Sequence, residues 1–435
     1  MSLKRLILAL ALTGAAIQAQ AVTEIQWWHA MTGPLNDKVN EIADKFNAGQ
    51  SEYKVVPVFK GSYDETLAAG IAAFRAGQAP AILQVFEVGT ATMMSAKGAI
   101  KPVASVMKDA GEKFDAKDYI PAVAGYYTSA KGEMLSFPFN SSTTVFFYNK
   151  DAFKAAGLDE NKPPKTWPEL FTDAQKLKDS GNKCAFTTDW QSWVQLESFS
   201  AWHNTLFSSK DNGFGGTDTR LLFNGPLQVR HITNLQHMMQ NGMFSYGGRK
   251  SESQAKFNSG ECAMFMGSSS SLASIRKSAN FQFGVSTLPY YPDVKGAPQN
   301  TIIGGASLWV MNGRKPAEYK GVAKFFTFLS RPEIQADWHQ FSGYLPVTMA
   351  AYELTKKSGF YEKNPGADVS VQQMIVKTTN KSRGVRLGNH PQIRTIVDEE
   401  LEAVWANKKS PKEALDSAVK RGNEQLEKFQ KMAKE

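Results

Sequence analysis

The sequence predicts an α/β protein made of two lobes. Short apolar segments alternate with amphipathic segments at helical spacing from about residue 24, and a similar α/β segment begins near Val145. The chain of 435 residues is long enough for two hydrophobic cores. Three short extended passages marked by proline or glycine recur along the chain, and each is a candidate crossing between the lobes.

The first 21 residues have the pattern of a secretory signal peptide. Lys4 and Arg5 form a basic start, residues 6–16 are apolar, and Ala19 and Ala21 flank Gln20 in a small-x-small cleavage site. The apolar run is too short to span a bilayer. We therefore expect export to the bacterial periplasm, cleavage after Ala21 and a mature chain that begins at Val22.

The first lobe begins with a repeated strand-helix order. Residues 24–28, 55–59 and 81–86 are predicted strands, and residues 35–46 and 63–76 are the helices between them. This order predicts parallel strands. Glu87 then lies at the carboxyl end of a parallel strand, the edge at which open α/β sheets bind ligands. The alternative is a strand-end acid that caps the next turn.

The crossing passages predict lobes that are discontinuous in sequence. The passages are residues 137–140, 286–290 and 343–346. We predict an N-terminal lobe of residues 22–137 plus 290–342 and a C-terminal lobe of residues 138–289 plus 343–435. The crossings together would form a hinge.

Net charge and cysteine content limit the possible partners of the protein and the chemistry of its cysteines. The formal net charge is +9, but the basic residues are spread along the chain among acids, which argues against a nucleic-acid partner. The largest local excess is the basic segment of residues 377–394, a candidate anion-facing segment. Cys184 and Cys262 are the only cysteines. They form either a disulfide or two buried thiols.

Several stretches of the chain resemble one known family. They are GSYDETLAAGIAAFRAGQAPAILQVFEVGTATMM (61–94), PFNSSTTVFFYNKDAFKAAGLD (138–159), GGASLWVM (304–311), SGYLPVT (342–348), GFYEKNPGAD (359–368) and RLGNHPQIR (386–394). With them the chain resembles the extracellular solute-binding proteins of the maltodextrin-binding type, family 1, the receptor subunits of ABC importers. It is most similar to the branch of that family that binds sn-glycerol 3-phosphate.

The resemblance implies a fold, a ligand and a partner. The fold is the type II periplasmic binding protein fold, and the ligand, sn-glycerol 3-phosphate, lies in the cleft between two lobes that close on it. The partner is an ABC permease with its ATPase. No cofactor and no metal is implied, and the protein is expected not to be an enzyme.

The resemblance also implies a set of ligand-binding residues, beginning with those suited to a phosphate. A phosphomonoester is mostly dianionic at neutral pH and needs several donors with a fixed positive charge. Arg394 is expected to supply the charge through its planar fork. Ser142 and Ser268 would supply hydroxyls, aided by N–H groups at a helix start near Ser271, although serine runs usually serve as caps. Gly305 would let a backbone amide approach the ligand, or would only mark a turn or bulge.

The glycerol moiety calls for other groups. Glu87 accepts hydrogen bonds from hydroxyls and would repel a phosphate, so we expect it at the opposite end of the cleft from Arg394. Tyr63 and Tyr344 are expected ligand contacts, and Trp190 is expected to pack on the glycerol carbons. Tryptophans at helical spacing are usually structural, as we expect for Trp193 and Trp202. Phe86 is expected to point away from the cleft.

Two kinds of alternative remain open. The same receptor mechanism would serve a neutral oligosaccharide or a glycerophosphodiester such as glycerophosphocholine. The other class is a periplasmic phosphodiesterase with Glu87 as general base. The sequence argues against catalysis because it contains no Walker A, G-x-S-x-G or H-E-x-x-H motif, and we find no cluster of metal ligands in it.

Overall fold

The computed structural model describes residues 21–434. Residues 1–20, which contain most of the predicted signal peptide, lie outside the described part of the chain. No helix within residues 21–434 combines the length and apolarity needed to cross a membrane.

One sheet path runs through both halves of the molecule. Its strands are β1 (Thr23–His29), β2 (Tyr53–Phe59), β3 (Ile82–Phe86), β4 (Ile100–Lys101), β5 (Phe137–Asn149), β6 (Cys184–Thr188), β7 (Cys262–Ser268), β8 (Phe283–Ser286) and β9 (Ile303–Met311). The order is β2-β1-β3-β9-β5-β7-β6, with β4 on β9 and β8 on β5. β1 pairs in parallel with β2 and β3, as predicted. β9 inserts antiparallel between β3 and β5.

Helices cover this sheet. Those before β6 are α1 (Gly33–Ala48), α2 (Tyr63–Arg75), α3 (Thr90–Ser95), α4 (Val103–Asp109), α5 (Pro121–Tyr126), α6 (Lys150–Ala155) and α7 (Trp167–Asp179). Those between β6 and β9 are α8 (Phe199–Trp202), α9 (Ser209–Asn212), α10 (Pro226–Gln240), α11 (Gln254–Asn258) and α12 (Ser271–Ser278). The rest are α13 (Pro316–Leu329), α14 (Pro332–Ser342), α15 (Met349–Lys357), α16 (Phe360–Lys363), α17 (Val369–Gln372), α18 (His390–Trp405) and α19 (Pro411–Lys434).

Two large hydrophobic clusters define the lobes. One is built on β1 and helices α1, α4 and α13, and the other on β6, β7 and helices α7, α10, α18 and α19. The strand β5 belongs to both, since residues 137–143 pair with β9 and residues 144–149 pair with β7 and β8. The α/β architecture with two lobes is therefore confirmed. The single strand β5 is the first predicted crossing.

The lobe boundaries stay a prediction, and side-chain packing suggests where the predicted bounds should shift. Tyr344, Leu345 and Val347 pack in the cluster of the first lobe, although the predicted boundary at residue 343 gives them to the second. Conversely, Tyr291 and Ile302 pack in the cluster of the second lobe. We place one later crossing accordingly near residues 302–303 and the other between residues 347 and 385, where contacts with both lobes alternate.

The cysteines are joined. Cys184 and Cys262 form a disulfide between opposed residues of the neighbouring parallel strands β6 and β7. Both cysteines are buried. Of the two alternatives left open by the sequence, the disulfide is therefore the one present.

Candidate ligand-binding site

A cavity of about 530 Å³ lies between the lobes. All eight residues that the sequence singled out contribute to its lining: Tyr63, Glu87, Ser142, Trp190, Ser268, Gly305, Tyr344 and Arg394. They come from α2, the end of β3, β5, β7, β9 and α18, and from loops near residues 190 and 344. The structure thus brings the whole predicted set together, while the contact of each residue with a ligand stays a prediction.

Glu87 and Arg394 line one end of the cavity. With Glu197 and His390, which contact Arg394 or each other outside the lining, they form a group of ionisable side chains that we call the acid–arginine cluster. Arg394 donates from Nε to Oε1 of Glu197 and from Nη2 to Oε2, both at 2.8 Å. Its Nη2 also donates to Oε1 of Glu87 at 2.7 Å. His390 Nε2 lies 3.1 Å from Glu197 Oε1. Since Glu87 follows β3 and Arg394 lies in α18, the cluster connects the two lobes.

Burial and charge oppose each other in this cluster. Burial raises the pKa of the Glu87 carboxyl, and the nearby guanidinium only partly offsets the effect. Burial also works against ionisation of Glu197, but Arg394 and His390 outweigh it and lower the pKa of that carboxyl to about 2. Glu197 is therefore an anion at neutral pH, paired with the Arg394 cation.

The expected separation of Glu87 from Arg394 is wrong. The two side chains form an ion pair instead of occupying opposite ends of the cavity. The physical reason is that Arg394 is buried, with 9% of its surface exposed, and a buried guanidinium needs carboxylate partners. The alternative role of Glu87 as a cap is also wrong, because its side chain makes no capping hydrogen bond.

The other end of the cavity carries hydroxyls and a helix start. We call Ser142, Ser268, Ser270 and Ser271 the serine cluster. The hydroxyl oxygens of Ser268 and Ser270 lie 2.8 Å apart, and Ser270 N donates to Ser268 Oγ. The eight-residue helix α12 begins at Ser271, as predicted, so its first N–H groups lie beside these hydroxyls.

Sheet order separates the two ends. Glu87 directly follows β3, Gly305 is in β9, Ser142 is in β5 and Ser268 ends β7, and these four strands are consecutive neighbours. Neighbouring strands lie about 4.8 Å apart, so Ser142 on β5 is roughly 10 Å from β3, and Ser268 lies one strand further on. The cavity therefore runs across the carboxyl edge of β3 toward α12.

Gly305 has a structural reason to be glycine. Its φ is +79°, and an added Cβ would lie 1.9 Å from the carbonyl oxygen of Asn140. The pairing of β5 with β9 shifts register between Pro138 and Asn140, next to this glycine. The bulge interpretation therefore holds, and the same residue also lines the cavity.

A chain of two side-chain amides holds Tyr63 in place. Gln84 accepts from Ala30 N at 2.7 Å and donates to Asn140 Oδ1 at 2.8 Å, and Asn140 donates to Tyr63 Oη at 2.9 Å. Tyr63 stacks on Phe86 with ring centroids 5.3 Å apart. The expectation for Phe86 is wrong, because it lines the cavity. It is the last residue of β3, where the chain turns into a 3₁₀ segment and strand alternation ends.

Two tryptophans form one wall. Trp190 has a left-handed backbone, with φ of +44°, and its N–H donates to the carbonyl of Lys250. Trp193 is buried in the core, as expected, but it also lines the cavity. An added Cβ on Gly304 would lie 2.4 Å from its ring, so the glycine permits this close packing. Trp202 belongs to the core only.

The sequence analysis missed Glu197 and the ion pair between Lys250 and Asp64, but from the basic segment it chose Arg394, which lines the cavity. Glu197 lies in a π-helical segment (Trp193–Ser198) within a tryptophan-rich stretch, and only its position four residues after Trp193 pointed to the cavity. Lys250 forms an ion pair of 2.5 Å with Asp64 of the other lobe at the cavity lining. Within the basic segment, Arg394 alone among the lysines and arginines lines the cavity. Arg386 instead donates to backbone carbonyls of Tyr126 and Thr128.

The chain belongs to the bacterial extracellular solute-binding proteins, whose family profile matches residues 41–368. It is 59% identical over 431 residues to the sn-glycerol-3-phosphate-binding periplasmic protein UgpB of Salmonella paratyphi A, covering 99% of this chain and 98% of that one. It is 58% identical to the protein of the same name from Yersinia pseudotuberculosis, with 98% and 97% coverage.

Solved structures confirm the two-lobed binding-protein fold. UgpB of Mycobacterium tuberculosis in complex with glycerophosphocholine superposes with a TM-score of 0.78 at 22% identity, covering 93% of this chain and 98% of that one. Maltose-bound MalE3 of T. maritima gives a TM-score of 0.74 at 15% identity, covering 92% and 99%. At these identities the likeness concerns the fold alone.

Proposed function

We propose that this protein is a periplasmic receptor that binds sn-glycerol 3-phosphate in the interlobe cavity and delivers it to an ABC permease. The observation that carries the proposal is the cavity itself, with a carboxylate–guanidinium pair at one end and hydroxyls beside a helix start at the other. The full-length relatives named for this ligand and for the periplasm support it.

The two ends suit the two halves of the ligand. At the acid–arginine cluster, Glu87 accepts from a glycerol hydroxyl and Arg394 donates through Nη1, a nitrogen for which the described residues provide no acceptor. A phosphate is disfavoured there because two carboxylates already face the guanidinium. At the serine cluster, hydroxyls and first-turn N–H groups donate to an anion without repelling it. The phosphate therefore lies at the serine cluster.

Closure follows from the same contacts. The ligand would touch Tyr63 and Glu87 of the first lobe. It would also touch Ser142 on the shared strand β5, and Trp190 and Ser268 of the second lobe. It would therefore bind the closed form better than the open one. A ligand with this differential affinity shifts the population toward closure. The strand β5 and the later crossings provide the hinge, and the closed form is the one we propose docks on the permease.

The proposed activity is binding without catalysis. The relatives are named as binding proteins. Among residues 21–434, no group of three or more histidine, cysteine or acidic side chains is placed to hold a metal ion, and metal clusters are what most phosphodiesterases use. Glu87, the candidate base, is engaged by Arg394.

The cavity volume favours glycerophosphodiesters as additional ligands. Glycerol 3-phosphate has roughly ten non-hydrogen atoms, and at no more than about 30 Å³ each they leave much of the cavity unfilled. The lining continues past the serine cluster to Asn258 and Ser274 of the same lobe. A substituent on the phosphate would enter that space.

Isothermal titration calorimetry tests the proposal. We expect one-to-one binding of sn-glycerol 3-phosphate, no heat from maltose, and binding of glycerophosphocholine in the unfilled part of the cavity. Heat from maltose alone would contradict the phosphate ligand and leave the fold unaffected. Chromatography of glycerophosphocholine incubated with the protein should show no hydrolysis, and released choline would show that the protein is an enzyme.

A further inference from the structure

Glu197 is a buried carboxylate that contacts Arg394 of the cavity lining. Its side chain is 2% exposed, and both of its oxygens accept from Arg394. His390, itself 1% exposed, contacts the same carboxylate. Bidentate pairs of this kind are the strongest and most directional ion pairs in proteins. Glu197 therefore fixes the orientation of the guanidinium.

This pairing determines which arginine donors a ligand can meet. The N–H of Nε and both N–H groups of Nη2 are used by Glu197 and Glu87. Nη1 keeps two donors for which the described residues provide no acceptor. A neutral hydroxyl can accept from Nη1 while it donates to Glu87.

The pairing also determines the local charge. Two carboxylates, Glu87 and Glu197, share one guanidinium, and Asp398 lies one turn further along α18. His390 is the other ionisable group that contacts Glu197. An incoming carboxylate would meet these acids at close range in a buried place, where charges interact strongly.

We propose that Glu197 is a specificity-determining residue that makes this end of the cavity accept a ligand hydroxymethyl group and reject a ligand carboxylate. It acts through Arg394, whose charge it neutralises. The inference rests on the proposed function, because it assigns the glycerol hydroxyls to the acid–arginine cluster. The acid it excludes is one that carries a phosphate at one end and a carboxylate in place of the terminal CH₂OH.

The test compares Glu197→Gln with the wild-type protein, using sn-glycerol 3-phosphate and 3-phosphoglycerate as calorimetric probes. Glutamine keeps the shape of the glutamate side chain and one hydrogen-bond acceptor, but it no longer neutralises the positive charge of Arg394. We expect the affinity ratio of the two ligands to fall by about tenfold or more in the variant. Glu402→Gln is the matched control, because Glu402 lies on α18 with Arg394 but forms its bidentate pair with Arg249, outside the cavity. The ratio of the two ligand affinities in the Glu402→Gln variant should equal that of the wild type.

A second measurement needs no variant and stands if Glu197→Gln does not fold. The wild-type protein should bind 3-amino-2-hydroxypropyl phosphate, which carries an ammonium group at the same end, more tightly than 3-phosphoglycerate. The reverse order would overturn the inference, as would an unchanged ratio in a folded Glu197→Gln variant that still binds glycerol 3-phosphate. If the wild type binds no glycerol 3-phosphate, the proposed function fails and the inference fails with it.

Discussion

The two ends of the cavity differ in the groups that line them and in how those groups are held. The acid–arginine cluster is a set of buried charges contributed by both lobes and held by ion pairs of 2.7 to 2.8 Å. The serine cluster holds neutral hydroxyls next to the start of α12, and its members come from adjacent strands and one loop. The first end depends on lobe closure, whereas the second is already built within the sheet.

This difference predicts how each end tolerates change. Removing one member of a buried ion pair leaves an uncompensated charge, which costs stability as well as binding. The Ser142 hydroxyl makes no hydrogen bond with the described residues, so its removal should change ligand affinity and leave stability unchanged. Substitutions in the acid–arginine cluster should therefore lower both stability and affinity, whereas a substitution of Ser142 should lower affinity alone.

The largest expected effect is that of Arg394→Ala. It leaves Glu87 and Glu197 without their shared cation, so the free energy of unfolding should fall by about 3 to 5 kcal/mol. Urea unfolding measures it. Arg249→Ala is the control, because its pair with Glu402 is partly exposed and should contribute no more than about 1 kcal/mol. Equal losses in the two variants would contradict the contrast between buried and exposed pairs.

The next effect is a loss of stability in acid. The pKa of Glu197 is about 2 in the folded protein and the ordinary value, near 4.5, in the unfolded chain. A lowered carboxyl pKa stabilises the fold above the unfolded pKa, and that contribution disappears as pH falls from about 4.5 to about 2. Urea midpoints over this range should therefore fall more steeply for the wild type than for Glu197→Gln. Parallel curves would show that Glu197 does not carry this acid sensitivity.

At the serine cluster we expect a loss of affinity, which at Ser142 comes without a loss of stability. Ser142→Ala and Ser268→Ala each remove a hydrogen bond to a charged phosphate, so each should weaken glycerol 3-phosphate binding by about 1.5 to 3 kcal/mol. Ser268→Ala also removes the hydrogen bonds with Ser270, so unchanged stability is expected of Ser142→Ala alone. Ser278→Ala, at the exposed far end of α12, is the control and should bind as the wild type does. A lowered urea midpoint with unchanged affinity would assign these serines a structural role only.

The smallest effect is expected at the exposed ion pair between the lobes. Asp64 and Lys250 are 48% and 39% exposed, so their attraction is screened by solvent. Asp64→Asn should weaken ligand affinity by less than about 1 kcal/mol, and only at low salt. Calorimetry at about 0.01 M and about 1 M salt tests this dependence. A loss that persists at high salt would show that the pair does more than hold the lobes together by charge.

Local sequence patterns determined much of this protein. Alternating apolar and amphipathic segments predicted β1, β2, β3 and the helices between them, because the period of a pattern reports which face is buried. The place of Glu87 after a parallel strand predicted its position at the ligand edge. The family resemblance supplied the other predicted site residues, and all of them line the cavity.

Tertiary structure decided which residues and strands pair with each other. Glu197 and Arg394 are 197 residues apart, and Glu87 and Arg394 are 307 apart, so no local pattern could reveal that the expected phosphate-binding arginine is held by two acids. The insertion of β9 between β3 and β5 and the disulfide between β6 and β7, whose cysteines are 78 residues apart, also join distant parts of the sequence. Periodicity specifies which side of an element faces inward, whereas the partner that meets it there depends on how the lobes close.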